Sequence, residues 1–166
     1  QYWDGSTWST LTAPPASMFG YNMTGESCSD IIVTSGLTQA VQQSTATCTF
    51  DGSSWTTGGG AINRGGINIS MGGTQNDTIA ATGIEVTGNP NTDTEAYDGT
   101  SWSICQNAIY GVMLGGASGG STNLALMMGI LENNTTRTDK VQEFNGTTWF
   151  MGENSPVADY EMRGTG

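Results

Sequence analysis

The chain has 166 residues, 4 basic against 15 acidic side chains, no histidine and a net charge of −11. Arg64, Arg137, Lys140 and Arg163 are scattered, so no basic stripe is available for a nucleic-acid backbone, and the acidity repels anionic membrane surfaces. The absence of histidine removes His-based triads and His metal centres.

No stretch carries a targeting signal, and the longest apolar run, Leu124 to Leu131, is far below the ~20 residues of a spanning helix. The chain opens on Gln1 directly into a patterned segment, which points to processing or to a section of a longer chain.

The first predicted element is a hairpin. In Trp3-Asp4-Gly5-Ser6-Thr7-Trp8 an Asp-Gly pair lies between aromatics. Gly supplies positive φ and the Asp side chain bonds nearby backbone, so the aromatic ends one strand and Trp8 begins the next. The pattern returns as Phe50-Asp51-Gly52-Ser53-Ser54-Trp55, Tyr97-Asp98-Gly99-Thr100-Ser101-Trp102 and Phe144-Asn145-Gly146-Thr147-Thr148-Trp149. Trp8, Trp55, Trp102 and Trp149 stand at constant 47-residue intervals, and a fixed period of this length signals a repeat architecture.

Between successive tryptophans the elements also recur. A Gly-flanked strand is predicted at 19–23, 66–70 and 111–115. An apolar strand follows at 31–36, 78–83 and 124–129, the third displaced by one residue. Polar Asn/Thr-rich loops at 89–94 and 133–138 lead into the strand before each Asx-Gly turn. No stretch shows helical periodicity, so each unit reads as four short antiparallel strands. The units are 9–55, 56–102 and 103–149, preceded at 1–8 by the end of one unit and followed at 150–166 by the start of another, with an inner strand near 159–163. The chain is read as one repeat domain and as part of a longer polypeptide.

Cys28, Cys48 and Cys105 fit no zinc or redox spacing. They read as buried thiols, with a Cys28–Cys48 pair as the alternative in an oxidising setting.

A four-stranded unit of this length fits a propeller blade. The aromatic-Asp-Gly-x-x-Trp copies resemble the kelch repeat. The segment Trp8 to Pro15 resembles the stretch that follows the kelch tryptophan, and Glu95 and Glu143 sit near its usual Glu. One Gly stands where kelch repeats carry Gly-Gly after the central strand. The Asp-Gly-Thr-Ser-Trp form is also similar to repeats in structural proteins of marine bacteriophages. The resemblance implies an all-β fold of kelch-like β-propeller blades, about three full blades with partial blades at both ends. It makes Asp4, Gly5, Trp8, Asp51, Gly52, Trp55, Asp98, Gly99, Trp102, Asn145, Gly146 and Trp149 the structural repeat residues.

Catalytic motifs are weak beside the repeat. Gly116-Ala117-Ser118-Gly119-Gly120 matches G-x-S-x-G but has no histidine to activate Ser118, and reads as a Gly-rich turn. The glycines around Arg64 lack the Lys-Ser/Thr of a P-loop. The Asx-Gly turns resemble the Asp boxes of sialidase-like propellers, which are structural. Asp93 with Glu95 and Asp139 with Glu143 are the carboxylate pairs a propeller glycosidase would need, and otherwise serve as edge charges. Ca²⁺ is the one ion these carboxylates and loop carbonyls leave open; no cofactor is expected. Trp3, Tyr21, Tyr110, Phe150 and Tyr160 are irregularly placed aromatics, read as packing, with a sugar platform as the alternative. Sequons at Asn22, Asn68, Asn76, Asn133, Asn134 and Asn145 matter in a glycosylating host.

The resemblance therefore implies a non-enzymatic structural or adhesive module, extracellular or in a virion, as part of a fibre or tail that presents loops to a receptor or glycan. A secreted prokaryotic adhesin or lectin is the first alternative and a propeller glycosidase the second. The expected partners are further copies or the remainder of a longer chain, and a glycan or cell-surface receptor, with no nucleic acid and no membrane insertion.

Overall fold

The computed structural model describes residues 1–3, 5–15, 20–38, 42–58, 66–67, 69–85, 87–111, 117–132 and 136–158. Every regular element among them is a strand. A two-stranded hairpin, β1 (Tyr2–Trp3) and β2 (Trp8–Ser9), opens the chain. The first four-stranded sheet follows as β3 (Asn22–Ser27), β4 (Asp30–Thr34), β5 (Thr47–Phe50) and β6 (Trp55–Thr57). The second is β7 (Ser70–Thr74), β8 (Asp77–Ala81), β9 (Thr94–Tyr97) and β10 (Trp102–Ile104). The third begins with β11 (Ala117–Ser121) and β12 (Leu124–Met128). A small hairpin, β13 (Leu131–Glu132) and β14 (Thr136–Arg137), interrupts it before β15 (Gln142–Phe144) and β16 (Trp149–Met151) complete it. Within each sheet the strands pair antiparallel in chain order.

The register repeats as strictly as the tryptophans do. Phe50 faces Trp55, Tyr97 faces Trp102 and Phe144 faces Trp149 across the outer hairpins. The second strands begin at Asp30, Asp77 and Leu124, 47 residues apart. The expected one-residue displacement of the third apolar strand is therefore not observed. Leu124 aligns with Asp30 and Asp77, and Gly129 aligns with Ser35 and Thr82. Those last three share a left-handed backbone, with φ of 67° at Ser35, 62° at Thr82 and 81° at Gly129.

The first strands lie several residues later than the Gly-flanked segments suggested. Among the described residues just before β7, Ile67 forms an isolated bridge to Ile84. Residues 112–116 lie outside the described part. The Gly-rich segment around Ser118 is strand and not turn, with Ser118 opposite Met127 and Gly119 opposite Leu126. Glycine is needed inside these strands for close approach. At Gly73 (φ +108°) an added Cβ would land on the Asp77 carbonyl oxygen, and Gly120 meets Leu124 in the same way.

The sheets stack face to face, with β3, β7 and β11 as neighbours. Because side chains alternate across a strand, each sheet has two unlike faces. The forward face of the first sheet supplies Ile32, which packs with Ile69, Met71, Ala80, Tyr97 and Trp102 of the second unit. Ile79 and Ala81 repeat this against Ala125, Met127, Phe144 and Trp149 of the third sheet. Each such large apolar side chain contributes about 1.5–3 kcal/mol by burial, so the core lies between sheets and not within any one of them.

Candidate functional site

The two ends of the stack differ in chemistry. At one end lie the short turns of the inner and outer hairpins, side by side: Gly52 is against Ser29, Gly99 against Asn76 and Gly146 against Asn123. At the other end lie the longer connectors.

At the turn end, Asp51 Oδ1 accepts the Ser53 and Ser54 amides at 2.8 Å each. Asp98 Oδ1 accepts those of Thr100 and Ser101 at 2.8 Å. Asn145 Oδ1 does the same for Thr147 and Thr148 at 3.0 and 2.9 Å. The donated hydrogen bonds, from Ser54 first and then Ser53, hold the exposed Asp51 carboxyl well below its ordinary value. Those from Ser101 and Thr100 lower Asp98. Asp4, the matching residue of the first hairpin, lies outside the described residues.

The Trp residues tie one sheet to the last. Trp102 Nε1 donates to Thr47 Oγ1 at 2.9 Å and Trp149 Nε1 donates to Thr94 Oγ1 at 3.0 Å. Trp55 donates instead to the Thr12 carbonyl at 2.8 Å. Each Trp stacks on its hairpin partner, Phe50–Trp55 at 4.9 Å, Tyr97–Trp102 at 5.1 Å and Phe144–Trp149 at 5.2 Å. Burial, aided by the Asp98 charge, pushes the Tyr97 phenol up. Trp102 and Trp149 are buried as the repeat implies, but Trp8 is 67% exposed. Among the described residues no sheet lies against that side of its hairpin, so register alone does not bury it. A second tie runs the other way: Asp30 Oδ1 accepts the Gln75 amide at 2.7 Å, and Asp77 Oδ1 accepts the Thr122 amide at 2.8 Å.

The connector end is polar and also periodic. Ala108 N donates to the Thr92 carbonyl and Ser155 N to the Asp139 carbonyl, both at 2.7 Å. Asn107 Nδ2 donates to Thr92 Oγ1 at 3.3 Å and Asp93 Oδ1 at 3.2 Å, and Asn154 Nδ2 donates to Asp139 Oδ2 at 3.0 Å. Glu85, Thr87 and Asn89 form an exposed chain of side-chain hydrogen bonds at 3.3 Å each. The third sheet fastens the connector before it: Gln142 exchanges hydrogen bonds with the Tyr110 backbone at 2.8 and 3.0 Å, and Lys140 Nζ donates to the Tyr110 hydroxyl at 3.0 Å.

The candidate carboxylates take unlike places. Glu95 pairs with Ala80 and is buried, while Glu143 pairs with Leu126 on the opposite face. The residue one 47-residue period after Glu95 is Gln142, which pairs with Met127, so Glu95 and Glu143 are not equivalent positions. Asp93 and Asp139 are engaged by the connector amides above. Among the described residues no three His, Cys, Asp or Glu side chains gather where a metal ion could be held. No helix there is long and apolar enough to cross a membrane.

The irregular aromatics do not share one environment. Trp3, Tyr21 and Phe150 are exposed, whereas Tyr110 is partly buried under Lys140, whose Nζ lies 4.4 Å from the ring centroid. Tyr160, Asn68, Asn133, Asn134, Arg64 and Arg163 lie outside the described residues, as do 159–163. The three cysteines are free, and Cys28 is exposed, not buried. Burial raises the Cys105 thiol. What the sequence did not disclose is a hollow of about 300 Å³ on the third sheet, lined by Gly120, Leu124, Ala125, Leu126 and Glu143. Its signal was the replacement of the repeated Asp by Leu124.

No protein-family model and no curated protein matches the chain. Among solved structures, one described as "Structure of YjhT" is similar, with a TM-score of 0.70 and 13% identity over 92% of this chain and 57% of that one. The chain thus spans just over half of that neighbour's length, and the likeness is one of fold.

Proposed function

We propose that the three sheets are successive blades of a kelch-like β-propeller. We further propose that the chain is a non-enzymatic structural or adhesive module of a virion fibre or tail, presenting its connector end to a receptor or glycan. The observation that carries this reading is the division of labour between recurrent and variable residues. The recurrent Asx, Thr and Trp side chains, with the turn glycines, are spent on turns and on ties between sheets. The connectors vary, one of them holding the β13–β14 hairpin, and they expose Asn, Thr and Glu side chains. Polar groups on loops held by a rigid scaffold are the usual place for recognition. The kelch-like and phage-like character of the repeat supports the location.

The test is binding of the purified chain to a broad glycan array, beside a Thr87→Ala/Asn89→Ala variant at the connector end. The expected result is a glycan signal reduced at least tenfold in that variant and unchanged by Ser54→Ala at the turn end. Immunogold labelling of particles from the source is expected to decorate fibres or tails. Absence of label from particles with label in the secreted fraction would turn the reading to a secreted adhesin. Turnover of a glycan on the same array would turn it to a glycosidase.

A further inference from the structure

One outer turn carries a side-chain amide where its counterparts carry a carboxyl. Asn145 stands 47 residues after Asp98, and it is the one Asn of the sequence that a Gly follows. Asn145 and Gly146 are exposed. That exposure belongs to the turn and not to the third sheet's place in the chain. Asp51 and Asp98 are exposed too, although another sheet packs after each of theirs.

We infer that Asn145 is a modification site, at which the folded turn converts the side-chain amide, through a cyclic imide with the Gly146 nitrogen, to aspartate and isoaspartate. The inference goes beyond the proposed adhesive role and depends on neither a receptor nor blade closure.

The turn supplies both halves of the reaction. The Gly146 nitrogen gives its proton to solvent, and its electron pair forms a bond to Asn145 Cγ. Negative charge then gathers on Oδ1. That oxygen already accepts the Thr147 and Thr148 amides at 3.0 and 2.9 Å, so two fixed dipoles meet the charge as it forms. The Cγ–Nδ2 bond breaks, Nδ2 leaves as ammonia with a proton from solvent, and the imide ring closes. Water then adds to one of the two imide carbonyls. Cleavage of the bond from nitrogen to Cγ leaves aspartate on an ordinary backbone. Cleavage of the bond from nitrogen to the backbone carbonyl leaves isoaspartate, with the main chain routed through Cγ. The balance is one water in and one ammonia out.

The attacking nitrogen is unobstructed. Gly146 has no Cβ to crowd it, and among the described residues its N–H donates no hydrogen bond. Other exposed asparagines are blocked. The amide after Asn107 donates to the Thr92 carbonyl and the amide after Asn154 to the Asp139 carbonyl, both at 2.7 Å. Asn76 and Asn123 precede Asp77 and Leu124, the first residues of β8 and β12. Asn89 precedes Pro90, which has no N–H to lose. Asp51-Gly52 and Asp98-Gly99 share the turn but not the reactivity, because a carboxyl must be protonated to lose water. The amide donors hold both below the ordinary carboxyl value, so they stay ionised at neutral pH.

The two products differ in effect. Aspartate restores the side chain of the first two sheets and keeps the turn. Isoaspartate adds a main-chain carbon between Phe144 and Trp149, which face each other across β15 and β16, and so loosens that hairpin.

Incubation of the folded chain at mildly alkaline pH, then chymotryptic digestion and mass spectrometry, tests this. The expected result is an amide-to-acid mass gain in the peptide from Asn145 to Trp149, faster as pH rises. Peptides holding Asn76, Asn107, Asn123 and Asn154 are expected to gain it at least tenfold more slowly. An isoaspartyl methyltransferase is expected to label the Asn145 peptide. Asn145→Asp is expected to keep the fold and show no gain there, and the isoaspartate form, separated by ion exchange, to unfold at lower urea than that variant. The chain unfolded in urea at matched pH is expected to react at Asn145 no faster than the folded chain, since it lacks the two fixed donors. An Asn145 that keeps its amide when folded, a faster reaction once unfolded, or a gain spread evenly over the exposed asparagines overturns the proposal. None of these outcomes bears on glycan binding, so the two readings fail separately.

Discussion

At the outer turns of the three four-stranded sheets one Asx side chain, Asp51, Asp98 or Asn145, gathers two backbone amides that the short loop would otherwise leave to water. Where the residue is Asp51 or Asp98 this has a pH consequence. Both carboxyls are held below the ordinary value, by the Ser54 and Ser53 donors in one case and by Ser101 and Thr100 in the other. A lowered folded-state pKa means the contribution is complete above about pH 4, the ordinary Asp value, and is lost as pH falls through the lower folded value. Carboxyl-carbon NMR titration is expected to give Asp51 and Asp98 midpoints below the ordinary value, with the Ser54 and Ser101 amides following. The Thr147 and Thr148 amides, held by uncharged Asn145, are expected to stay still. An ordinary midpoint at Asp98 would contradict the geometry. Two glycines separate backbone crowding from side-chain crowding. In Gly73→Ala the new Cβ meets backbone of the paired strand, whereas in Gly99→Ala its nearest neighbour is the Asn76 side chain at 2.8 Å. Both bear left-handed strain of about 1–2 kcal/mol, and Gly73→Ala is expected to lose clearly more in urea denaturation because the β8 carbonyl cannot swing away.

The outer hairpin is the element the sequence announces most loudly, since Asp-Gly between aromatics can do little but turn. Its tryptophans show which part of their role the sequence carries. Stacking on the facing aromatic is local and recurs in all four hairpins. Burial is not local: it needs a sheet in front, which Trp149 has and, among the described residues, Trp8 does not. Trp149→Phe removes the hydrogen bond to Thr94 and leaves that hydroxyl short of a partner, at an expected cost of about 1–2 kcal/mol. Trp8→Phe is expected to stay within about 0.5 kcal/mol of the wild type. Thermal denaturation of both variants compares them directly. The first strand of each sheet was the least legible element, for a physical reason. β7 (SMGGT) and β11 (ASGGS) carry small residues because their backbones approach a neighbour closely, so they lack the alternating apolar signal of a strand. The flanking glycines marked the approach to the strand instead of the strand itself.

For the whole molecule, three four-stranded antiparallel sheets follow one another at the 47-residue period among the described residues because each solves the same packing problem. The period did not show the hollow beside Leu126. The connector hydrogen bonds were equally hidden, since they join residues from different loops, as Asn107 joins Thr92 and Asp93. The inter-sheet core predicts how access is distributed. Cys28 is exposed, Cys105 is half-buried with a raised pKa, and Cys48 is buried on β5. A thiol reagent at neutral pH is expected to modify Cys28 within minutes, Cys105 more slowly and Cys48 only as the stack opens. Early modification of Cys48 would mean that the first sheet separates on its own. The graded tryptophans also give the molecule an optical reading of its own opening. Trp3 and Trp8 face water, Trp55 is intermediate, and Trp102 and Trp149 lie between sheets. Native fluorescence is therefore a sum of red and blue emitters, and a soluble quencher silences the red part first. As the stack parts, the blue component disappears in the order in which the sheets separate, so single-tryptophan versions of the chain report which interface yields first.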